Sequence, residues 1–204
     1  DGQVLTANIS GVDSLKIDYR DITYLTGIQD FAELIFLDCG DNLISNLDVS
    51  NNLNLTVLKC GFNGLSSLDV SHNTSLTKLY FRHNEISNID LTENVNLIEI
   101  FCDNTSLSSL DLSENTNLIS LNCRSVYGLT CLNLKNGNNT NFTYLDAEEN
   151  PDLSCVEVDD PNWATQNWMP GWPSNSFDDD VTFSTNCNYP TGCGGSTSGG
   201  PYTL

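Results

Sequence analysis

Four stretches of this chain lie over one another without a gap: LDCGDNLISNLDVSNNLNL (37–55), LKCGFNGLSSLDVSHNTSL (58–76), LYFRHNEISNIDLTENVNL (79–97) and IFCDNTSLSSLDLSENTNL (100–118), each starting 21 residues after the last. Leu37, Leu58, Leu79, Ile100 and Leu121 share a column, as do Leu47, Leu68, Ile89 and Leu110, and Leu34, Leu55, Leu76, Leu97 and Leu118. Within each block the motif occurs twice, at alternating spacings of 10 and 11 residues, as in Leu37-x-Cys39-xx-Asn42 followed by Leu47-x-Val49-xx-Asn52. The short L-x-L pieces alternate inward and outward, which is the strand period. Each Asn falls where the chain must turn, and its amide can bond backbone groups that the turn leaves unpaired. Gly40, Gly61 and Gly64 suit the same corners. One such coil cannot bury its leucines alone. Stacked coils can, at a strand spacing of about 4.8 Å. The expected fold is therefore a β-rich solenoid with short parallel strands, about two per coil, and few or no helices.

The ends depart from the repeat. Leu15, Ile17, Ile22 and Leu25 match Leu37, Cys39, Ile44 and Leu47 at an offset of 22 residues, and Ile28-xx-Phe31-xx-Leu34 steps in threes, which predicts a 3₁₀ turn. After Cys123 the register slips by three residues, with insertions around Val126–Gly128 and Lys135–Asn139, and resumes through Phe142, Leu145, Ala147, Asn150, Leu153, Val156 and Val158. Trp163, Trp168 and Trp172 follow. Their bulk suits a plug on the open end of the core, ATQNW reads as the start of a short helix, and VTFSTNC reads as a last strand. These shifts divide the chain into a cap with an atypical first coil (1–33), the repeats (34–158), a C-terminal cap (159–190) and a Gly/Ser-rich linker (191–204). Such a linker, and a start at Asp1 without Met, read as a module of a longer polypeptide.

The repeat resembles bacterial leucine-rich repeats with nested ten- and eleven-residue periods, the IRREKO type, as found in exported proteins of Bacteroidetes-like bacteria. The Ile28–Leu34 stretch is similar to internalin repeats. The resemblance covers roughly residues 12–187. It implies an extracellular or cell-surface module that binds a protein or polysaccharide, and a disulfide Cys155–Cys187 tying the cap to the last coil. Asp13-Ser14-Leu15 resembles the short O-glycosylation motif of such proteins.

The eight cysteines fall into two groups. Cys39, Cys60, Cys102 and Cys123 share one inward column with Phe81 at its third rung, where they read as small buried hydrophobes and not as a metal set, which would want closed tetrahedral spacing. Cys131, Cys155, Cys187 and Cys193 lie outside it and allow three connectivities, Cys131–Cys193 among them.

Only 7 Lys and Arg oppose 27 Asp and Glu, a net charge of −20. Phosphate binding needs clustered cations, so nucleic acid and anionic membranes are disfavoured as partners. No run of 18 apolar residues is present. Asp48, Asp69, Asp90 and Asp111 recur once per coil, and Asp178–Asp180 form a run; these carboxylates read as solvated surface, with calcium as the sharper alternative. His72 takes a corner position, His83 has no nucleophile beside it, and no phosphate-binding glycine loop occurs, so no cofactor and no catalysis are expected. Asn-x-Ser/Thr triplets at Asn8, Asn54, Asn73, Asn104, Asn138 and Asn141 read as by-products of an Asn- and Ser-rich repeat.

Comparing the coils with each other separates a uniform half from a variable one. The LDVS half hardly changes; the L-x-C half changes at nearly every outward position. Four of the seven cations, Lys59, Lys78, Arg82 and Arg124, fall in the variable half, with Phe36, Tyr80, Phe101 and Asp103 on the same face and Phe62 and Tyr127 at its margin. Aromatics beside Arg on an extended sheet are an interface composition. The expected function is adhesin-like recognition through this face; the alternative is a passive spacer or accessory domain of a larger secreted enzyme.

Overall fold

The computed structural model describes residues 9, 11–169 and 177–189. The linker, Asn8, Trp172 and Cys193 lie outside the described residues. Three-residue strands recur along the chain: β1 (Ser14–Lys16), β2 (Phe36–Asp38), β3 (Val57–Lys59), β4 (Lys78–Tyr80), β5 (Glu99–Phe101), β6 (Ser109–Asp111), β7 (Ser120–Asn122), β8 (Cys131–Asn133), β9 (Tyr144–Asp146), β10 (Cys155–Glu157) and β11 (Thr182–Ser184). A parallel sheet of seven strands runs β1-β2-β3-β4-β5-β7-β9, and a second, of four, runs β11-β10-β8-β6. This is a leucine-rich-repeat solenoid.

Register follows the leucine columns. Leu15, Leu37, Leu58, Leu79, Ile100, Leu121 and Leu145 pair in succession down the long sheet. From Leu37 on, all are fully buried, each side chain withdrawn from water contributing about 1.5–3 kcal/mol. The first coil keeps its 22-residue offset, and the 3₁₀ turn forms at Ile28–Asp30. The slip after Cys123 is absorbed before β9, so Leu121 pairs with Leu145 and the sheet continues.

The second half-coil is less uniform than its sequence. It forms ladder strands only from Ser109 onward. In the earlier coils side-chain amides do the linking. Asn73 Nδ2 donates to the carbonyls of Val49 and Asn52, Asn94 to those of Val70 and Asn73, and Asn115 to those of Leu91 and Asn94. A second amide column serves the other corner. Asn84 donates to the carbonyls of Cys60 and Phe81 and accepts from Leu65 N–H, and Asn63 makes the same bonds one coil earlier. Thr105 takes this position in the next coil and donates to the Cys102 carbonyl.

Cys39, Cys60, Cys102 and Cys123 are buried free thiols beside Phe81 in the core. Burial pushes the Cys39 thiol up to about 12, and the other three rise for the same reason. They pack as apolar groups with no thiolate chemistry at neutral pH. Cys155 and Cys187 form a disulfide across the C-terminal coil; Cys131 is also disulfide-bonded.

The helix predicted from ATQNW starts earlier, as α1 (Pro161–Trp168), because Asp160 caps it by accepting from the N–H groups of Asn162 and Trp163, with Pro161 in the first turn. Its Trp168 is buried and meets the rings of Phe142, Trp163, Phe177 and Phe183 at centroid distances of 5.6–6.2 Å. The aromatic plug expected from the sequence is built from these rings.

The aspartate column also acquires a role. Asp48, Asp69, Asp90 and Asp111 each accept from the backbone N–H two residues on, and Asp69 and Asp90 also accept from the Ser71 and Thr92 hydroxyls. These bonds hold the carboxyls of Asp48, Asp69 and Asp90 below their ordinary value. Among the described residues no three His, Cys, Asp or Glu side chains converge as metal ligands.

Two outcomes follow. Asn84→Ala leaves buried carbonyls and an N–H unpaired, and should cost about 3 kcal/mol in urea unfolding, since each such group costs about 1–3 kcal/mol; Asn96→Ala, whose amide makes one exposed bond, should cost under about 1 kcal/mol. The aspartates have depressed folded-state values, so their contribution is present above the unfolded carboxyl value near 4 and is lost as pH falls through the folded one. Chemical denaturation of an Asp69→Asn, Asp90→Asn double variant should show a shallower acid loss of stability than the parent.

Candidate functional site

The outward positions of the long sheet form columns because the strands stack in register. One column reads Phe36, Val57, Lys78, Glu99, Ser120, Tyr144; the next reads Asp38, Lys59, Tyr80, Phe101, Asn122, Asp146. The inner leucine of each three-residue strand is buried and the two flanking residues stay half-exposed. A flat strip of side chains one coil apart results.

Tyr80 and Phe101 lie 4.9 Å apart, centroid to centroid, and Tyr144 extends the row 6.0 Å beyond Phe101. Lys59 Nζ sits 5.4 Å from the centre of the Tyr80 ring and 5.7 Å from that of Phe36. The Arg82 guanidinium lies 5.1 Å from the centre of the Phe62 ring, whose other neighbour, His83, stacks at 4.1 Å. Burial, and then the Glu99 carboxylate, raise the Tyr80 phenol.

The strip opens into a hollow of about 340 Å³ lined by Asp18, Tyr19, Asp38, Asp41, Lys59 and Arg82 together with Phe62, Tyr80 and Phe101. Its floor is Gly40 and Gly61. A Cβ on Gly61 would stand 3.0 Å from Arg82 Cγ and 3.1 Å from the Arg82 carbonyl oxygen. The bare backbone is what allows the Arg82 side chain to lie back over Gly61 and onto Phe62.

Of the eight residues singled out in the sequence, Phe36, Lys59, Lys78, Tyr80 and Phe101 lie in strands of the long sheet, while Arg82, Asp103 and Arg124 lie two residues beyond the ends of β4, β5 and β7. Lys59, Tyr80, Arg82 and Phe101 line the hollow, and Phe36 joins them only through Lys59, whose Nζ lies over its ring. Lys78 is ion-paired with Glu99 at 2.8 Å. Arg124 is enclosed by Glu148, Glu149 at 2.7 Å and Asp146 at 3.6 Å, whose carboxylates raise its guanidinium value further. Asp103 is buried at the edge of the face, 3.7 Å from His83 Nε2, with its other carboxylate oxygen unpartnered. Lys59 and Arg82 make no salt bridge among the described residues.

Sequence reasoning gives Tyr19 and Asp41 no role, weighs His83 only as a catalytic base, and leaves Phe62 at the margin of the face. These residues share a corner column with a left-handed backbone: Tyr19, Asp41, Phe62, His83, Asn104, Ser125 and Glu149 all have φ between 51° and 61°. Asn suits this conformation, whereas a bulky ring there is a strained exception. Tyr144 was hidden by the register slip.

No protein-family model and no curated protein matches the chain. Solved structures do. The functional domain of internalin J from Listeria monocytogenes, described as including a cysteine ladder, is 25% identical with a TM-score of 0.52 over 76% of this chain. An internalin F from the same organism is 19% identical with a TM-score of 0.61 over 88%, and YopM from Yersinia enterocolitica is 24% identical with a TM-score of 0.55 over 72%. The chain spans 41%, 62% and 33% of those three chains in turn.

The left-handed corner can be probed. Tyr19 is 73% exposed, so its ring contributes little packing. Tyr19→Asn should raise stability by roughly 0.5–1 kcal/mol, a part of the left-handed cost of about 1–2 kcal/mol, read as a higher urea midpoint with unchanged slope.

Proposed function

We propose that this chain is a non-catalytic recognition module that works outside the cell or on its surface and binds a protein or glycan ligand through the aromatic and cationic face of the long sheet. The observation that carries this reading is the state of Lys59 and Arg82. In a chain of net charge −20, two cations lie on ring faces beside a hollow, with abundant carboxylates nearby and no salt bridge to them. Cations over aromatic rings are held in place yet remain available to a ligand. A half-exposed aromatic row beside them supplies area at low entropic cost.

Support for an exported setting comes from the Cys155–Cys187 disulfide, a linkage that persists in oxidising surroundings, and from the fold shared with internalins. The nested 10 and 11 spacing resembles the IRREKO type of exported Bacteroidetes-like proteins, which adds support to that setting.

The test is a screen of the purified chain on glycan and protein arrays, followed by a Tyr80→Ala, Phe101→Ala double variant. Loss of at least about 2 kcal/mol of binding, some thirtyfold, is expected of a central aromatic pair, with the circular dichroism spectrum unchanged. Undiminished binding by the folded double variant would refute the assignment of this face.

A further inference from the structure

Resting on that recognition reading, we infer that the glycine-floored hollow at the N-terminal end of the long sheet binds a singly anionic, hydroxyl-rich sugar, such as the terminal acidic residue of a glycan. The column that carries Gly40 and Gly61 carries Asp18 one coil before them and Arg82 one coil after. Only in those two coils is the side chain missing. Here each coil closes onto the next, since a Cβ on Gly40 would stand 3.2 Å from the Gly61 carbonyl oxygen and one on Gly61 3.1 Å from that of Arg82, and the hollow lies along this stretch between the Asp18 carboxylate and the Arg82 guanidinium. At about 340 Å³ the hollow lies at the small end of ligand clefts, which run from roughly 300 to 1,000 Å³. That volume suits one or two sugar rings better than a protein segment.

Each part of the lining answers a different part of such a ligand. Phe62 with His83, and Tyr80 with Phe101, offer ring faces on which the apolar face of a sugar can lie. Lys59 and Arg82, held over Tyr80 and Phe62, can take one carboxylate without first breaking an ion pair. Asp18, Asp38 and Asp41 line the same hollow; Asp18 lies 3.9 Å from Lys16 Nζ, Asp38 accepts from Gly40 N–H and Asp41 from the Tyr19 hydroxyl, and their remaining lone pairs can accept from hydroxyl donors. Those three carboxylates, on a chain of charge −20, repel a densely charged polyanion. With two cations and three carboxylates around it, the hollow tolerates one ligand carboxylate placed on Lys59 and Arg82 with hydroxyls turned to the aspartates, and excludes a sulfated polymer or a phosphorylated surface.

The backbone supports the same reading. Phe62 at φ 54° and Tyr19 at φ 55° hold aromatic rings in a conformation that Asn or Gly would accept at lower cost. Both rings border the hollow. Gly61 completes the set, because a methyl group there would collide with Arg82.

The experiment is calorimetric titration of the chain with 3′-sialyllactose and glucuronic acid, with lactose as the neutral comparison and a heparin tetrasaccharide as the polyanion. The acidic sugars should bind at least about tenfold more tightly than lactose, about 1.4 kcal/mol, more weakly at high salt, and heparin should not bind. Arg82→Met and Phe62→Ala should each reduce affinity for the acidic sugars about tenfold or more, and Gly61→Ala should do so in part by displacing Arg82. Lys135→Met, the same charge change beside the second sheet, should leave it unchanged. Equal affinity for lactose, binding of heparin, an unaffected Arg82→Met variant, or no binding of either acidic sugar would each overturn the inference. If no sugar binds while Tyr80→Ala, Phe101→Ala still abolishes capture of a protein on the array, this inference fails and the broader recognition reading stands.

Discussion

A coil that turns twice in about 21 residues must bring its backbone through the core at each corner, where carbonyl and N–H groups have no ladder to join. Leaving them unpaired would cost several kcal/mol per coil. The corner asparagines offset much of that cost, although the buried Oδ1 atoms of Asn73, Asn94 and Asn115 accept no hydrogen bond. Asn63 and Asn84 bond groups of their own coil and of the coil before, so each amide both closes a turn and fixes the distance to its neighbour. In the other column Asn73, Asn94 and Asn115 carry the inter-coil link where no strand ladder forms. The leucines supply the energy of burial, but it is the amides that set the pitch at which leucine meets leucine.

This division of labour explains what can be read from the residues and what cannot. The leucine columns, the asparagine corners, the 22-residue first step and the 3₁₀ turn at Ile28–Asp30 all show in the sequence because each depends on side chains at fixed spacings within the chain. The late onset of the second sheet does not show. LDVS before Asn52 and LDLS before Asn115 look alike whether a ladder or an amide bridges the coils, yet only the second of these segments enters a strand. The left-handed corner is obscured for a different reason: its usual marks, Gly and Asn, are replaced by Tyr19, Phe62 and His83.

The candidate face was legible as a strip and not as a site. Its composition pointed to Lys59, Lys78, Arg82 and Arg124 as equals. Stacking separates them, because the residue one coil on becomes a contact. Glu99 follows Lys78 by 21 residues and pairs with it, a relation that the repeat itself encodes. Glu148 and Glu149 follow Arg124 by 24 and 25, across the slipped register, so their hold on it emerges only once Leu121 is seen to pair with Leu145. The hollow was hidden in the same way. Gly40 and Gly61 looked like corner residues, whereas their effect is to let successive coils approach closely and Arg82 lie back along the hollow.

A stacked coil of this kind can vary one face freely because almost nothing in its interior depends on that face. The buried residue of each strand is an aliphatic in a fixed column, and the two flanking side chains point away from it. Variation there costs little so long as local charge is balanced, which is what Glu99 does for Lys78 and the acidic trio for Arg124. Lys59 and Arg82 break that pattern of compensation. They are placed by rings and by a missing Cβ instead of by counter-charges, and two of the rings around them sit on strained backbone. Drift alone favours neither the strain nor the unpaired charge, since substitution by Asn at the corner or by a nearby carboxylate would relieve both. Their occurrence together at one end of the sheet is the physical ground on which the ligand is proposed there.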